Sequence, residues 1–416
     1  MRSLPVVQNW DCHVCGDCCR ELEVVATDEE KNRIEALDLA NDPEIGPGPW
    51  FERKSLVANT WALRHRPDGG CVFLTSANRC RLHERFGPEV KPFGCRYFPF
   101  LLIAAGNHYR LGLRFSCPSV VDSKGHSIAT QLAAAQVFAN GLEKFAGRDG
   151  ATIEPPPLTA GLKASWSEVI QFTEVLVDIL KDRTDRVERR LRKCVALVAL
   201  CRQADTATFA GGGLQKRLKE LRRGLDDAQV PRQASDLAAP GWIGRVLFRT
   251  LMATVYSRKD WGRLAGTIKR SRLARALAGW RFIRGRGPVP AFNRLLDGVT
   301  FEQVEARTGL FPPEFDEVLE RYYLIKLSSL QYCSPSSYAE TVWNGVESLA
   351  LTLPAILWLA RAFTSLSPAA ALQRAIMLVD EHFGGNPILG FPHTRFYIRT
   401  LAEHEELEKL IAWYSR

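Results

Sequence analysis

The sequence predicts a mainly helical protein in which a small, loop-rich N-terminal domain with short β-hairpins precedes a larger helical domain. Two observations support this fold class. Eight of the eleven cysteines lie before residue 118, among short apolar runs that turn-forming residues separate. After residue 160 the apolar residues recur at helical spacing, as Val169, Phe172 and Leu176 do. The composition, 46% hydrophobic and 24% charged, is that of a globular protein and excludes a disordered chain.

The first element is a cysteine-rich loop, WDCHVCGDCCR at residues 10–20, which places four thiols within eight positions. Single cysteines follow at wider intervals, and the candidate metal ligands are Cys12, Cys15, Cys18, Cys19, Cys71, Cys80, Cys95 and Cys117. The sequence before them lacks the apolar stretch of a signal peptide, so we expect a cytoplasmic protein. In that reducing compartment clustered thiols bind metals more often than they form disulfides, which are the alternative for a secreted protein.

A hairpin is expected to bring two of these cysteines together. Between His108 and Cys117 apolar residues alternate with polar ones, which predicts a strand with one buried face. The turn-like sequence AAGNH around Gly106 pairs this strand with the apolar run before it. Because Cys95 and Cys117 are equally far from Gly106, we expect the hairpin to set them opposite each other.

A second hairpin is expected to deliver Cys71. Residues 56–65 are strand-like, RPDGG at 66–70 predicts a turn, and CVFL from Cys71 predicts the returning strand. Cys80 is expected to open a short helix. A domain of this kind has little core for its size, so a bound metal would supply part of its stability. The other three cysteines, Cys194, Cys201 and Cys333, lie in apolar sequence and are predicted to be small buried hydrophobic residues.

The cysteine spacing indicates which metal is bound. C-x2-C-x2-C with a remote fourth cysteine before proline is the spacing of bacterial ferredoxin loops, and Cys117 precedes Pro118 here. Zinc sites usually combine two separated C-x2-C pairs, whereas this chain has one short-spaced group. The pattern favours a [4Fe–4S] cluster on some of the eight thiols, with room for a second metal site; zinc alone is the alternative. Cys18 and Cys19 are adjacent, so their side chains are expected to point in different directions.

These cysteine blocks resemble a known family. C-x2-C-x2-C-C followed by CVFL, CRLH and CRYFPF is similar to the CxxCxxCC cysteine-cluster family, a zinc- or iron-chelating domain, over roughly residues 10–120. Residues 71–100 followed by LRFSCPSV at 113–120 further resemble the flagellin lysine N-methylase family. That resemblance implies an iron–sulfur cluster and methyl transfer from S-adenosylmethionine to lysines of a protein substrate such as flagellin. The sequence itself has no G-x-G-x-x-G between a strand and a helix and names no catalytic residue.

The predicted domains are a cysteine-cluster domain at 8–125, a linker at 126–160 that contains a proline triplet, and a helical domain at 161–416. SWSE at 165–168 predicts a capping box at the start of a helix that runs toward Arg190. The longest apolar stretch, 349–360, contains Pro354 and is shorter than the roughly 20 residues of a membrane span, so no transmembrane segment is expected.

The net charge of +9 is concentrated in one segment, 258–286, which contains ten Lys or Arg and a single acid, Asp260. Apolar residues recur there at near-helical spacing: Trp261, Leu264, Ile268, Leu273, Leu277 and Trp280. A basic amphipathic helix docked on the body is therefore expected. It is interpreted as a solvated charged face, a surface for an acidic protein or nucleic acid, or a contact with an anionic membrane. The alternative to an enzyme is accordingly a non-catalytic, zinc-stabilised scaffold or adaptor whose basic helix binds a partner.

Overall fold

The computed structural model of the 416-residue chain describes residues 7–55, 60–146, 153–209, 213–225, 229–256, 271–290, 294–306, 309, 311–333, 340–383 and 390–416. The described residues are mainly helical, and their five strands all lie before residue 114. The predicted fold class, mainly helical after an N-terminal region with small antiparallel sheets, is therefore confirmed.

The N-terminal region contains short elements around a core of its own. In chain order these elements are α1 (Cys18–Glu21), β1 (Val25–Ala26), α2 (Asp28–Glu35), β2 (Phe51–Ser55), β3 (Thr60–Leu63), α3 (Arg81–Phe86), α4 (Phe93–Tyr97), β4 (Phe100–Ala104), β5 (Tyr109–Leu113) and α5 (Pro118–Val121). The first three strands form an antiparallel sheet in the order β1-β3-β2. Beneath it lies the small core, which consists of Ala26, Ile34, Leu39, Trp50, Phe51, Leu63, Phe73 and Leu82.

The predicted hairpin around Gly106 is confirmed. Strands β4 and β5 pair antiparallel from Phe100↔Leu113 to Ala104↔Tyr109, and Gly106 has the left-handed φ of +72° that such a turn requires. The last bond between the two chain segments runs from the Arg114 N–H to the Pro99 carbonyl at 2.8 Å. The ladder ends there, before it reaches the cysteines, because Pro99 has no N–H to continue it. Cys95 lies in α4 and Cys117 precedes α5, so the expectation that they face each other across paired strands is wrong.

The second predicted hairpin is confirmed only at its turn. Residues 56–59 lie outside the described part of the chain, and β3 covers the rest of that strand as Thr60–Leu63. The turn closes through a hydrogen bond of 2.7 Å from the Arg66 N–H to the Gly70 carbonyl, but the return from Cys71 is a single bridge to His65 and not a strand. Cys80 does open a short helix, since α3 begins at the next residue.

The rest of the chain is helical. Its helices are α6 (Leu132–Ala146), α7 (Trp166–Leu180), α8 (Val187–Gln203), α9 (Leu214–Arg223), α10 (Trp242–Tyr256), α11 (Arg272–Arg284), α12 (Phe301–Glu305), α13 (Phe315–Ser328), α14 (Val342–Ala350), α15 (Thr352–Ala362), α16 (Pro368–His382), α17 (Pro392–Glu403) and α18 (Glu406–Tyr414). They share one large core that also contains the β4–β5 hairpin. Phe115 after β5 packs edge-on against Tyr322 of α13, with ring centroids 5.0 Å apart.

The capping box at 165–168 is confirmed, because the Ser165 hydroxyl accepts the Glu168 N–H and the Glu168 carboxylate accepts the Ser165 N–H. The helix ends at Leu180 and a new helix starts at Val187, so the expected extension toward Arg190 is wrong. The predicted linker, 126–160, contains α6, whose Phe138 stacks on Tyr97 at 4.5 Å. The division at 8–125, 126–160 and 161–416 stays a prediction.

The basic segment at 258–286 is described from Ser271 onward, where α11 forms; Trp261, Leu264 and Ile268 lie outside the described residues. The helix docks through Ala278 and Phe282, which are buried. Leu273, Leu277 and Trp280, expected on the docked face, are instead 71%, 55% and 56% exposed. These three residues therefore lie on the exposed face of the helix, and not on the docked face where they were expected.

One helical stretch, Val342–Ala362, is long and apolar enough to cross a membrane by length and composition. It spans α14 and α15, and 94% of its most apolar 18-residue window is buried inside the fold, as in a core helix.

Candidate metal centre

The start of the chain is bound to the segment that follows Cys117. Trp10 donates its N–H to the His126 carbonyl at 2.9 Å, and Asp11 donates its own to the Lys124 carbonyl at 3.0 Å. Gly125 is required at this contact, because its φ is +106° and a Cβ there would collide with the backbone N of Asp11. This pairing carries the first cysteines of the loop to the neighbourhood of Cys117.

The cysteine loop itself turns sharply twice. Val14 and Gly16 both have left-handed backbones, with φ of +56° and +78°. A Cβ at Gly16 would collide with the guanidinium of Arg20, which donates to the Asn78 side-chain oxygen at 2.6 Å. Glycine is therefore needed at position 16, and Arg20 ties the loop to the turn that precedes Cys80.

Cys19, Cys71 and Cys80 are joined through the backbone. The Cys71 N–H donates to the Cys19 carbonyl at 2.7 Å. Leu74, three residues after Cys71, forms an antiparallel bridge with Cys80 that closes the short loop between them. These contacts hold three segments that are distant in sequence side by side.

Cys95 is positioned by a buried carboxylate. Glu30, 6% exposed, accepts the N–H of Phe93 with one oxygen at 2.7 Å and the N–H of Thr27 with the other at 3.1 Å. The second bond belongs to the capping box that starts α2. One side chain therefore caps α2 and fixes the start of α4, which carries Cys95.

The thiols fall into two sets by the C-x2-C-x2-C spacing of the loop and by the backbone contacts that place each segment. The first thiol set is defined as Cys12, Cys15, Cys18 and Cys117. Cys15 is exposed, but neighbouring atoms still desolvate its thiol and raise its pKa to about 11, and repulsion from the Cys117 and Cys12 thiolates acts in the same direction. Burial likewise raises the pKa of Cys117, and repulsion from the Cys12 thiolate raises it further.

The second thiol set is defined as Cys19, Cys71, Cys80 and Cys95. Burial raises the pKa of Cys71 to about 12, and the Cys19 and Cys80 thiolates contribute to the rise. Burial also raises the pKa of Cys95, with further repulsion from the Cys71, Cys19 and Cys80 thiolates and an opposing effect of the Lys91 ammonium. Each of these four side chains is partly buried.

Cys18 and Cys19 stand where the two sets meet. Their sulfurs are 3.9 Å apart, so the expectation that they point in different directions is wrong. The contact raises the pKa of Cys18 and lowers the pKa of Cys19, because one sulfur can keep its proton and donate it while the other accepts it as a thiolate. Cys18 also experiences repulsion from Cys95 and Cys117, one member of each set.

The donors present fit a thiolate-bound metal. Among the described residues the buried indole N–H of Trp10 has no hydrogen-bond partner, and it lies near enough to the Cys117 thiol to oppose the rise in pKa that burial and the Cys12 thiolate cause. A donor aimed at a thiolate is a typical partner of a metal-bound cysteine. Among the described residues, which include all eight cysteines, no three Cys, His, Asp or Glu side chains already stand together as a metal-ligand set. The sulfurs must therefore move closer on binding, when they also lose their protons.

Comparison with known families agrees with this chemistry. Residues 11–118 match the family described as "CxxCxxCC: Putative zinc- or iron-chelating domain". This part of the chain is thus similar to the CxxCxxCC domain. The family resemblance stated from the cysteine blocks is thus confirmed over those residues, without a choice between zinc and iron. No curated protein and no solved structure matches the chain, so the methylase resemblance stays a proposal.

All eight early cysteines lie in the CxxCxxCC domain as free thiols, and the three later ones are buried at 1% exposure or less. Trp10 and Glu30 were missed by the sequence analysis. The TDEE sequence at 27–30, a capping-box pattern, could have identified Glu30 as a structural residue. No sequence signal marks Trp10, because its role depends on the pairing with residues 124–126.

Proposed function

We propose that the CxxCxxCC domain binds a [4Fe–4S] cluster through the first thiol set, in a reducing compartment such as the cytoplasm. The observation that carries this proposal is the approach of the Cys12–Cys18 loop to Cys117 across about a hundred residues of sequence. Three thiols at C-x2-C-x2-C spacing plus one followed by proline is a ligand pattern of iron–sulfur clusters. Four cysteine thiolates are also the soft donors that iron–sulfur clusters require.

Anaerobic purification followed by iron, zinc and acid-labile sulfide analysis tests the proposal. We expect brown protein with iron and sulfide in equal amounts. Stoichiometric zinc without sulfide would instead support the zinc-stabilised alternative. Cys194→Ser, which removes a buried thiol of the helical body, is the matched control and should leave the metal content unchanged.

We further propose, from the resemblance at residues 71–100 and 113–120, that the chain is a protein lysine N-methylase. Support comes from the family-like order of the cysteine blocks and from the helical body that follows them. The substrate would be a protein such as flagellin and the methyl donor S-adenosylmethionine. Transfer of a labelled methyl group to flagellin, lost when the cluster is removed and regained on reconstitution, is the expected result. Intact cluster without transfer or S-adenosylmethionine binding would contradict it.

The adaptor alternative is favoured by α11. This helix exposes Leu273, Leu277 and Trp280 beside basic residues and contains no acid. We propose that it binds an acidic protein partner, because its charge and exposed apolar groups complement an acidic amphipathic surface. An acidic amphipathic peptide should bind the intact protein and lose affinity in Arg275→Glu; a peptide of the same composition in scrambled order serves as control. Equal binding of both peptides, or preferential binding to anionic vesicles or DNA, would contradict this partner class.

A further inference from the structure

We infer that the second thiol set, Cys19, Cys71, Cys80 and Cys95, forms a separate metal centre that holds a single tetrahedral zinc ion. The inference rests on the proposed function in one respect, namely that the domain binds metal and the first thiol set has a cluster of its own. It assigns the four cysteines that such a cluster leaves unused, since a [4Fe–4S] cluster takes four thiolates.

The backbone joins this set independently of any metal. The Cys71 N–H bonds to the Cys19 carbonyl, and the Leu74–Cys80 bridge brings the next member alongside. Cys95 enters from α4, whose first residue is fixed by Glu30 at 2.7 Å. Four short segments therefore converge before a metal is added.

The two sets lie against different parts of the fold. Cys71, Cys80 and Cys95 pack against the small core. Cys117 belongs to the large core, and Trp10 beside it packs there too. The CxxCxxCC signature is thus divided between the two sets. The carbonyl of its last cysteine, Cys19, accepts the N–H of Cys71, whereas the pairing of residues 10–11 with residues 124–126 directs the first cysteines to Cys117.

The chemistry of the second set suits zinc. Structural zinc sites are closed by four ligands and tolerate wide spacing, and all four thiols here are partly buried, whereas Cys12 and Cys15 of the first set are exposed. Lys91 provides a positive charge that offsets part of the negative charge of a zinc–tetrathiolate centre. Zn–S bonds of about 2.3 Å place tetrahedral sulfurs about 3.8 Å apart, so the four thiols must draw together around the ion as they lose their protons.

The small core also needs this centre. It contains eight buried apolar residues, too few to order sheet β1-β3-β2 and α2 and α3 without further stabilisation. A structural zinc ion supplies folding free energy directly, because the assembled site does not exist in the unfolded chain.

The test is metal analysis of the full-length protein and of paired variants, with Co²⁺ as a spectroscopic substitute for zinc. Cys15→Ser removes a ligand of the first set, Cys71→Ser one of the second, and Cys333→Ser is the control. We expect wild type to hold iron, sulfide and one zinc ion per chain. Cys15→Ser should lose iron and sulfide but keep zinc, whereas Cys71→Ser should lose zinc and the thiolate-to-Co²⁺ charge-transfer band but keep iron. Cys333→Ser should match wild type.

The outcomes separate the two claims. Wild type with iron and sulfide but without zinc or Co²⁺ uptake overturns the second centre and leaves the proposed function standing. Wild type without any metal overturns both. Loss of both metals in Cys71→Ser and in Cys80→Ser, with the helical circular dichroism retained, shows one shared site and also overturns the inference. Should Cys71→Ser fail to fold, Co²⁺ binding is measured in wild type and in Cys95→Ser instead. One Co²⁺ ion in wild type that is lost in Cys95→Ser while iron is kept supports the second centre, and no Co²⁺ uptake in wild type, or loss of iron as well in Cys95→Ser, overturns it.

Discussion

The Cys71 amide donates a 2.7 Å hydrogen bond to the Cys19 carbonyl. This bond joins the end of the CxxCxxCC signature to a turn about fifty residues further along the chain. It holds the Cys19 backbone beside Cys71, whose side chain packs against the small core. Since the bond involves only backbone atoms, Cys-to-Ser changes preserve it while they remove the metal donor. The effect of such variants on metal content can therefore be separated from their effect on the local fold.

Metal removal should destabilise one part of the molecule selectively. We expect chelation to increase hydrogen–deuterium exchange in β3, α3 and α4 and to leave α13 and α15 unchanged. The reason is that the small core has eight buried apolar residues, whereas the helices belong to the large core. Exchange measured by mass spectrometry before and after chelation checks this.

Readdition of the metal is the control and should restore the original exchange pattern in the same peptides. An equal increase in every helix would contradict the expectation, since it would mean that both cores depend on the metal. Unchanged exchange throughout would mean that the small core is stable alone.

The sequence predicts the hairpin of β4 and β5 correctly because alternation and a turn residue are local signals, and Gly106 supplies the left-handed turn. The prediction is wrong at the ends of the strands. Equal distance from Gly106 suggests that Cys95 faces Cys117, but Pro99 ends the ladder and short helices take over. Where a strand ends depends on the next element, which periodicity alone does not show.

The composition of the candidate site was predictable, and its division was not. Eight early thiols can be read directly from the sequence. Their separation into two sets arises from long-range bonds such as those of Trp10 and Cys71, which have no local pattern. The exposed face of α11 was mispredicted for a similar reason. Both faces of that helix contain apolar residues, and only the large core determines which face is buried.

Two residues of α11 should differ sharply in their contribution to stability. Phe282 is fully buried and its ring lies 5.3 Å from Phe301 and 6.0 Å from Trp358. Phe282→Ala should lower the free energy of unfolding by about 3–5 kcal/mol. Leu277→Ala, at a position 55% exposed, should change it by less than about 0.5 kcal/mol. Urea denaturation of the two variants measures this difference, and similar losses in both would show that Leu277 is covered in solution.

Glu408 should make stability depend on pH. Burial raises the pKa of its carboxyl to about 7, although Arg192 opposes the rise. Between pH 4.5 and 7 the folded protein therefore holds a proton that the unfolded chain has lost, so this group lowers stability as the pH increases. Relative to wild type, Glu408→Gln should gain about 1–2 kcal/mol on going from pH 5 to pH 8. Glu314→Gln, at an exposed position, should show no such gain in urea unfolding at the two pH values.

Asp380 of α16 connects the segment of Cys117 to the helical body. Its carboxylate accepts the Ser116 N–H at 3.1 Å and forms an ion pair with Lys326, whose side chain is 11% exposed. Asp380→Asn keeps an acceptor for Ser116 but leaves the lysine charge buried without its partner, so we expect a loss of about 3 kcal/mol in the free energy of unfolding. Glu317→Gln removes a carboxylate that is 76% exposed and should cost less than about 1 kcal/mol.

The double variant Asp380→Asn with Lys326→Met distinguishes the cause of that loss. If the unpaired charge is responsible, removing it should recover part of the stability, and the double variant should be more stable than the sum of the two single changes predicts. Additive losses would mean instead that the unpaired Lys326 charge is not the cause of the loss, because removing the lysine would then recover nothing.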